Sequence, residues 1–533
     1  MPEFPEYQHV SRTLSLRTKV GQLFMPAAFI HDTEEHIQAL EDLIRTHHIG
    51  GLCFFHSPES VATNFEGKRQ ITHHPDSLQR LKSLVARYQK AAQHPLFTAM
   101  DAEWGLAMRV ENAAGYPYAL ALGALQGNDD PLLYQLGLRM AADCLEAGIN
   151  WNLTPVVDIN TNPENPVIGY RAFGNRAEEV TKKSLQLFKG LQDGGVLSCL
   201  KHFPGHGDTA IDSHLDLPVL EKSVEELERE EFLPFRNLIQ AGAPAIMTGH
   251  LSVPSLDATG LPASLSERIV HHLRQQLGFQ GALITDALNM QALRSIEDRP
   301  AHINLKALQA GNDILCFAEE IPKSVELILK TLPEPRLEAS FQRVWKLKRR
   351  IFRGTAQSIG PKYGPDTLNQ KLCSRSLCVI GTGSQDIAQW RQAETCLLYY
   401  GIRPDVFLDK IGETLNLEER QWKKDQKIDI LGLPDNPRVI LALQPPSMKP
   451  KEGFGLSESF FSELIRLVKE KEVLLYLFGN PYLLNHFPRD RFENIVCAFQ
   501  PMAPMQEAAA MHFMGKLRAV GNLPIDINTL HDG

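Results

Sequence analysis

The sequence predicts an α/β fold in which a (β/α)8 TIM-like barrel is followed by a smaller α/β sandwich domain. Eight short apolar runs alternate with segments of helical periodicity from residue 18 to about residue 350. These runs repeatedly end in an ionisable residue, and barrel enzymes place their active sites at the carboxyl ends of their strands. A Gly-, Pro- and Ser-rich stretch then precedes several further apolar runs, which predict the second domain.

The predicted barrel strands are separated by amphipathic segments, the clearest at 131–147, 177–193, 224–240 and 266–276. The last barrel helix is expected over 336–353, where one apolar stripe runs through a basic segment. In chain order the strand sequences are GQLFMPA, GGLCFF, PLFTAMD, INWNLTPVVDI, VLSCLKHF, PAIMTGH, GALITD and NDILCF.

The domain boundaries follow from this pattern. We expect a catalytic barrel domain over 1–353, a linker over 354–374 and a C-terminal α/β domain over 375–533. Strands of the second domain are predicted at SLCVIGTGS, RVILALQ, EVLLYLFGNPY and NIVCAFQ. The turn at Gly381 and Gly383 lacks the third glycine of a dinucleotide fingerprint, so no cofactor is expected there.

Composition excludes several classes of partner. A formal net charge of -8 disfavours nucleic acid and anionic membranes as principal partners. No run approaches the roughly 18 apolar residues of a membrane span. The N-terminus has no apolar core of a secretion signal, and the eight cysteines form no CxxC pair. The chain is therefore expected to be cytoplasmic, with reduced thiols.

The stretch KHFPGHGDTAIDSHLDLP at 201–218 concentrates ionisable side chains directly behind an apolar run. Its proline and glycines interrupt both helix and strand, so these groups are expected on a loop. A histidine titrates near neutral pH, and a carboxylate two residues earlier orients its ring and favours its charged form. Asp212 and His214 are therefore predicted to form an acid/base dyad. The alternative is that both residues only cap the loop.

A metal site is a second interpretation of the same stretch. His202 and His206 have the four-residue spacing of helical zinc motifs, and His214 would be a third ligand. A proline and a glycine between the first two histidines interrupt the helix that this spacing requires. We therefore expect no metal ion at this stretch.

Further candidates lie where other predicted strands end. Asp286 ends the run GALITD, either as a helix N-cap or as a carboxylate nucleophile at the mouth of the barrel. Asp101, Asp158 and His250 end three more runs, and Lys201 and His202 end another. Solubility alone would scatter such residues over both strand ends, so their one-ended placement predicts a shared pocket.

Two arginines follow predicted strands. Arg109 comes after the hook DAEWG at 101–105, in which Trp104 offers a stacking surface for a sugar. Arg171 lies in the turn-rich segment NPVIGYRAFG. The alternative for both arginines is a surface ion pair.

These motifs resemble glycoside hydrolase family 3, and within it the bacterial β-N-acetylglucosaminidases of the NagZ type. The resemblance covers essentially the whole chain and is most specific in KHFPGHG with the following DSH. That element separates this branch from the β-glucosidases of the family, which use a distant glutamate as acid. Other matching segments are TLSLRTKVGQLFM, PVVDINTNPENPVIGYRAFG, GALITDALNM, LFGNPYLL and GNLPIDI, whereas DAEWG replaces the commoner DQEGG.

The resemblance implies that Asp286 is the nucleophile and that His214, oriented by Asp212, is the general acid/base. The implied activity is exo-acting, retaining removal of terminal GlcNAc from muropeptides or similar peptidoglycan fragments. It implies a small carbohydrate as partner and no cofactor or metal. The implied sugar-binding residues are Asp101, Arg109, Arg171, Lys201, His202 and His250.

Three alternatives remain open from the sequence. The first is another family 3 exo-glycosidase such as a β-glucosidase, which the DSH element disfavours. The second is a GlcNAc phosphorylase, in which phosphate replaces water as the acceptor. The third is a carbohydrate-binding scaffold without activity, against which the intact Asp286 and His214 argue. The sequence does not determine the oligomeric state.

Overall fold

The computed structural model describes residues 4–58, 74–211, 217–353, 358–381, 387–391, 395–413, 418–424, 428, 438–492 and 494–527. The chain forms two compact units that interleave along the sequence. The first unit comprises residues 1–115, 133–159 and 180–362, and the second comprises residues 116–132, 160–179 and 363–533.

The strands of the first unit pair in parallel throughout. They form a four-stranded sheet in the order β2-β3-β4-β5, a three-stranded sheet β6-β7-β8 and the pair β1-β9. Their bounds are β1 Phe24–Met25, β2 Ala27–Phe29, β3 Gly51–Phe55, β4 Phe97–Met100, β5 Trp151–Asn152, β6 Leu200–Phe203, β7 Ala245–Thr248, β8 Ala282–Thr285 and β9 Leu315–Cys316.

Each of the eight predicted apolar runs contains one of these strands, and the parallel α/β class is confirmed. The first run is divided because Pro26, which has no N–H group to donate to a ladder, lies between β1 and β2. A single closed barrel stays a prediction.

The regular α-helices connect these strands and continue into the second unit. Their bounds in chain order are α1 Tyr7–Thr13, α2 Leu16–Gly21, α3 Glu34–His47, α4 Ser77–Ala91, α5 Ala119–Gly123, α6 Asp130–Glu146, α7 Ala177–Asp193, α8 Val224–Arg229, α9 Phe232–Gln240, α10 Glu267–Gln275, α11 Gln291–Arg294, α12 Pro300–Ala310, α13 Ile321–Thr331, α14 Glu334–Phe352, α15 Pro365–Ser376, α16 Asp405–Gly412, α17 Glu458–Glu470 and α18 Ala503–Phe513.

The helix predicted over 224–240 is wrong in one respect, because the structure divides it into α8 and α9. Glu230, between the two helices, has φ −112° and ψ −83°, which is not helical. In one continuous helix the ring of Pro234 would clash with the carbonyl group four residues earlier, that of Glu230. The break lets the aromatic side chains of α9 pack on β6, where the Phe203 ring lies 5.5 Å from Phe232 and 5.2 Å from Phe235.

The second unit is built on one six-stranded sheet in the order β10-β15-β14-β13-β11-β12. All neighbours are parallel except β10 and β15. The sequence predicted four of these strands and missed β11 and β12. The edge strand β12 has the sequence EERQW, which contains no apolar run that would reveal it. The bounds are β10 Cys378–Ile380, β11 Cys396–Tyr400, β12 Glu418–Trp422, β13 Arg438–Leu443, β14 Glu472–Leu477 and β15 Asn494–Cys497.

Two early chain segments pack within the second unit, on residues more than 300 positions later. The Tyr118 N–H donates to Gln500 Oε1 at 2.6 Å, and the Tyr482 hydroxyl donates to the Asn160 carbonyl at 2.7 Å. At Gly174 an added Cβ atom would lie 2.3 Å from the Pro524 carbonyl oxygen, so only glycine allows this approach. The segments 116–132 and 160–179 are therefore integral parts of the second unit.

Part of the predicted linker is helical. Residues 365–374 lie in α15, which starts with a proline in its first turn and buries Leu368 and Leu372, four residues apart. The four residues 354–357 lie outside the described residues, and 358–364 carry no helix or strand.

All eight cysteines are buried free thiols. None of the described helices combines the length and the apolar character that crossing a bilayer requires.

A lysine with no carboxylate partner among the described residues is buried at the amino-terminal side of the strands of the first unit. Lys348 of α14 is fully buried, and its Nζ donates to Gln22 Oε1 at 2.6 Å and to the Pro95 carbonyl at 2.7 Å. Burial lowers the pKa of Lys348 to about 7, because the charged ammonium group is poorly solvated there.

This burial makes folding pH-dependent. The ordinary pKa of 10.5 in the unfolded chain lies above the folded value of about 7, so the unfolded chain binds the proton first as pH falls. Between pH 7.5 and 9.5 the free energy of unfolding should therefore rise by about 1.4 kcal/mol per pH unit because of this group. We expect Lys348→Met to remove this contribution in urea titrations, whereas Lys346→Met, which changes an exposed lysine, should leave the slope unchanged. Equal slopes in all three proteins would contradict the assignment.

Candidate active site

Ionisable side chains gather at the carboxyl ends of the parallel strands of the first unit. Asp101 follows β4 directly, Lys201 and His202 lie within β6, and Asp286 follows β8 directly. Because neighbouring strands are parallel, their carboxyl ends meet at one edge of each sheet. The strands thus place these predicted residues at equivalent ends.

Lys201 is the centre of a buried ionic network. Its Nζ lies 2.6 Å from Asp101 Oδ1 and 2.7 Å from Glu103 Oε1, and its side chain is 2% exposed. A buried ammonium ion requires this kind of compensation, since desolvation strongly disfavours an isolated charge. The network joins β6 to the loop that follows β4.

Arg109 supplies a second cation to Asp101. Its Nη2 lies 3.6 Å from Asp101 Oδ2, and its guanidinium group stacks 4.0 Å from the centre of the Phe55 ring. Asp101 is therefore held between an ammonium and a guanidinium group. A carboxylate fixed in this way is a strong acceptor for the hydroxyl groups of a ligand.

His202 is oriented by a carboxylate beneath it. Its Nδ1 lies 2.7 Å from Asp158 Oδ2, and Asp158 Oδ1 also accepts the His206 N–H at 2.8 Å. Burial would raise the pKa of Asp158, but the charge and hydrogen bonds of His202, with a smaller contribution from His206, lower it overall. The ionised Asp158 thus fixes the His202 ring and the start of the loop after β6.

The two histidines of the metal interpretation have protein partners. The Nδ1 atom of His206 lies 2.7 Å from the Thr209 hydroxyl, while that of His202 is bonded to Asp158. Their ring centres are 6.0 Å apart. His214, the third member of that interpretation, lies outside the described residues, as does Asp212. Their role as an acid/base dyad stays a prediction.

His250 contacts the backbone beside Asp286. Its Nε2 donates to the Ala287 carbonyl at 3.0 Å, and its Nδ1 accepts from the Ser264 hydroxyl at 2.7 Å. The residue is fully buried. These bonds make His250 a support for the turn at 286–287, and its contact with a sugar stays a prediction.

Asp286 is not a helix N-cap, which was the alternative to its catalytic role. Its Oδ1 accepts the Ala287 N–H at 2.8 Å, and its own N–H donates to the Thr248 carbonyl at 2.9 Å. The next helix, α11, has Met290 at its N-cap position. The carboxylate is therefore held by the next backbone N–H, and the backbone of Asp286 is held by β7.

Two buried thiols respond to the charges of both Asp286 and Asp101. The pKa of Cys316 is raised by a hydrogen bond with Cys53, by burial and by the two aspartates. Burial also raises the pKa of Cys199. The charges of both aspartates raise this pKa further, whereas the charge of Lys201 lowers it. The two carboxylates thus act on the same buried positions, although they follow different strands.

Arg171 belongs to the second unit, where it ends the 3-10 turn Gly169–Arg171 and donates from Nη1 to the Val167 carbonyl at 3.3 Å. Its predicted contact with a sugar stays a prediction. Glu103, to which the sequence analysis gave no role, holds Lys201, and Asp158, one of the residues predicted to share the pocket, holds His202. Asp158 carried the same signal as its neighbours, since it also ends an apolar run.

Residues 15–347 match the family model described as glycosyl hydrolase family 3 N terminal domain, which covers more than half of the chain. Beta-hexosaminidase A from Pseudoalteromonas piscicida is 33% identical over 346 residues. That alignment covers 60% of this chain and 56% of the relative, so the chain spans little more than half the length of that protein.

Two solved structures have similar folds over 97% of the chain. The glycoside hydrolase family 3 beta-N-acetylglucosaminidase from Paenibacillus sp. str. FPU-7 is 24% identical, is covered completely and gives a TM-score of 0.78. A fungal multi-domain GH3 beta-N-acetylglucosaminidase is 28% identical, is covered over 61% of its chain and gives a TM-score of 0.79. Because the family model matches more than half of its residues, the chain belongs to glycosyl hydrolase family 3 and is a glycoside hydrolase.

Proposed function

We propose that the protein is an exo-acting, retaining β-N-acetylglucosaminidase that removes terminal GlcNAc from peptidoglycan fragments. The observation that carries this proposal is the position of Asp286, which directly follows β8 with its carboxylate fixed by the Ala287 N–H. The charges of Asp286 and Asp101 both raise the pKa values of the buried thiols of Cys316 and Cys199. The name of the fungal beta-N-acetylglucosaminidase supports GlcNAc as the sugar, and that of Beta-hexosaminidase A supports a hexosamine.

A closed barrel would bring these strand ends around one pocket. We infer that the three sheets of the first unit are parts of one eight-stranded barrel. Isolated parallel β-bridges between the sheets support this inference. In addition, β1, the first strand of the unit, pairs with β9, its last strand. The bridges are Trp151 with Leu197, Val156 with Lys201 and Ile284 with Ile314.

In the first step, a carboxylate oxygen of Asp286 attacks the anomeric carbon of GlcNAc. The bond from that carbon to the leaving oxygen breaks, and its electron pair goes to the leaving oxygen, which takes a proton from the His214 imidazolium. Asp212 orients the imidazole ring. The product is a covalent glycosyl-enzyme with inverted configuration.

In the second step, neutral His214 removes a proton from water, whose oxygen attacks the anomeric carbon. The ester bond breaks and its electrons return to the Asp286 carboxylate. Two inversions restore the original configuration. An imidazole suits this task because, unlike a second carboxylate, its neutral form does not repel the anionic nucleophile.

Substrate binding in this proposal uses the network around Asp101. The Asp101 carboxylate accepts hydrogen bonds from sugar hydroxyls while Lys201 and Arg109 hold it in place. His202, fixed by Asp158, donates to another sugar oxygen.

The first prediction concerns the sugar and the acceptor. The purified protein should release 4-nitrophenol from the β-GlcNAc glycoside and not from the β-glucoside, at rates that added phosphate does not change. Proton NMR should show the β anomer of GlcNAc forming first from GlcNAc-1,6-anhydro-MurNAc, because the reaction proceeds with retention. Release of glucose alone would support a β-glucosidase, and GlcNAc 1-phosphate would support phosphorolysis. No turnover would support a binding scaffold.

The second prediction concerns the nucleophile. Asp286→Ala should lower kcat for 4-nitrophenyl β-GlcNAc by roughly four orders of magnitude, because no glycosyl-enzyme forms. A 5-fluoro GlcNAc fluoride should add one sugar mass to the wild-type protein, on a peptide that contains Asp286. The matched control, Asp298→Asn at an aspartate whose side chain is 90% exposed, should behave as wild type. Labelling of a peptide without Asp286 would contradict the assignment.

The third prediction concerns the acid. His214→Ala should lower activity far more on GlcNAc disaccharides than on a dinitrophenyl glycoside, whose leaving group needs no proton. Azide should rescue this variant on the dinitrophenyl substrate and give the β-glycosyl azide, since the anion needs no general base. Equal losses on both substrates would exclude His214 as the acid. His9→Ala, at an exposed histidine of α1, is the control.

A further inference from the structure

A cluster of two histidines and a glutamate lies in the first unit among residues that the proposed hydrolysis does not use. His31, His56 and Glu111 each place one potential ligand atom within 4.8 Å of the others. His56 is 3% exposed, and the side chains of His31 and Glu111 are 10% and 16% exposed. The histidine rings lie 4.8 Å apart between their centres.

The three residues come from separate parts of the chain that the fold brings together. His31 follows β2 after one intervening residue, and His56 directly follows β3. Glu111 lies in the loop after β4, two residues beyond Arg109. The neighbouring strands β2, β3 and β4 therefore position one ligand each at their carboxyl ends.

Distances within the cluster are close to those of a coordination shell. His56 Nε2 lies 2.7 Å from Glu111 Oε1, and His31 Nε2 lies 3.9 Å from Glu111 Oε2. Ligand atoms on a tetrahedral Zn²⁺ ion with bonds near 2.0–2.1 Å are about 3.3 Å apart. The two observed separations, 2.7 and 3.9 Å, lie on either side of that spacing.

Hydrogen bonds through Ser77 link two members of the cluster. The Ser77 Oγ atom lies 2.6 Å from His31 Nε2 and also donates to Glu111 Oε2. The other carboxylate oxygen, Glu111 Oε1, accepts the His74 N–H at 3.1 Å. A metal ion bound by His31 and Glu111 would take the place of the Ser77 hydroxyl between them.

We propose that His31, His56 and Glu111 form a binding site for one Zn²⁺ ion. Zinc binds readily to two imidazoles and one carboxylate, whereas magnesium and calcium prefer ligand sets made of oxygen atoms. Three protein ligands leave a fourth position for water. The ion would tie the ends of β2 and β3 to the loop that carries Arg109. This site is independent of the proposed glycosidase activity and stands or falls without it.

The test is metal binding by the full-length protein stripped with chelator and titrated with Co²⁺ and Zn²⁺. We expect one Co²⁺ ion per chain with the visible absorption of a four- or five-coordinate site, displaced by Zn²⁺. Glu111→Gln, which keeps a hydrogen-bonding group of the same size, and His31→Gln should each weaken Zn²⁺ binding at least about tenfold in competition with a chromogenic chelator. His9→Ala should bind as wild type.

X-ray absorption at the zinc edge of the wild-type protein tests the ligand set without any variant. We expect nitrogen and oxygen neighbours at about 2.0–2.1 Å with the scattering pattern of two imidazoles. Sulfur at about 2.3 Å would overturn the site, as would Co²⁺ binding that Glu111→Gln leaves unchanged. Absence of saturable binding by the wild-type protein would also overturn it. Circular dichroism without metal confirms that the variants are folded.

Discussion

A buried ammonium group held between two carboxylates is the interaction on which the arrangement of the site depends. Lys201 is almost inaccessible to solvent, and removing a charge of this kind from water costs several kcal/mol. Two short charge-assisted bonds, to Asp101 and Glu103, offset that cost. The two carboxylates lie on the loop after β4 and the lysine lies in β6. The ion network therefore fixes the position of this loop relative to β6.

The same principle recurs at the neighbouring strand end. Asp158 is fully buried and stays ionised because His202 and two backbone N–H groups point at it. His250 in turn holds the Ala287 carbonyl next to Asp286. The residues proposed to face a sugar within the first unit are thus fixed by neighbouring charged or polar groups or by backbone. Such support keeps a site preorganised, which is what electrostatic stabilisation of a transition state requires.

Sequence reasoning succeeded where one local rule decided the structure. The helix α7 begins and ends where its periodicity predicted, and the runs that end at Asp101 and Asp286 are strands. It failed where partners are distant or local signals conflict. The pairing of Lys201 with Asp101 joins residues 100 positions apart, and no spacing rule reveals it. The break at Glu230 depends on one proline within an otherwise helical pattern, and the strand EERQW is polar because it lies at a sheet edge.

The interleaving of the two units has a consequence for biosynthesis. Tyr118 and Asn160 leave the ribosome 382 and 322 residues before Gln500 and Tyr482, to which they bind. At about 5–20 residues per second this corresponds to a wait of roughly 15 to 75 s. Throughout that interval the segments 116–132 and 160–179 lack the partners that residues 363–533 supply in the folded protein. The second unit can therefore complete its fold only after its last part has been synthesised.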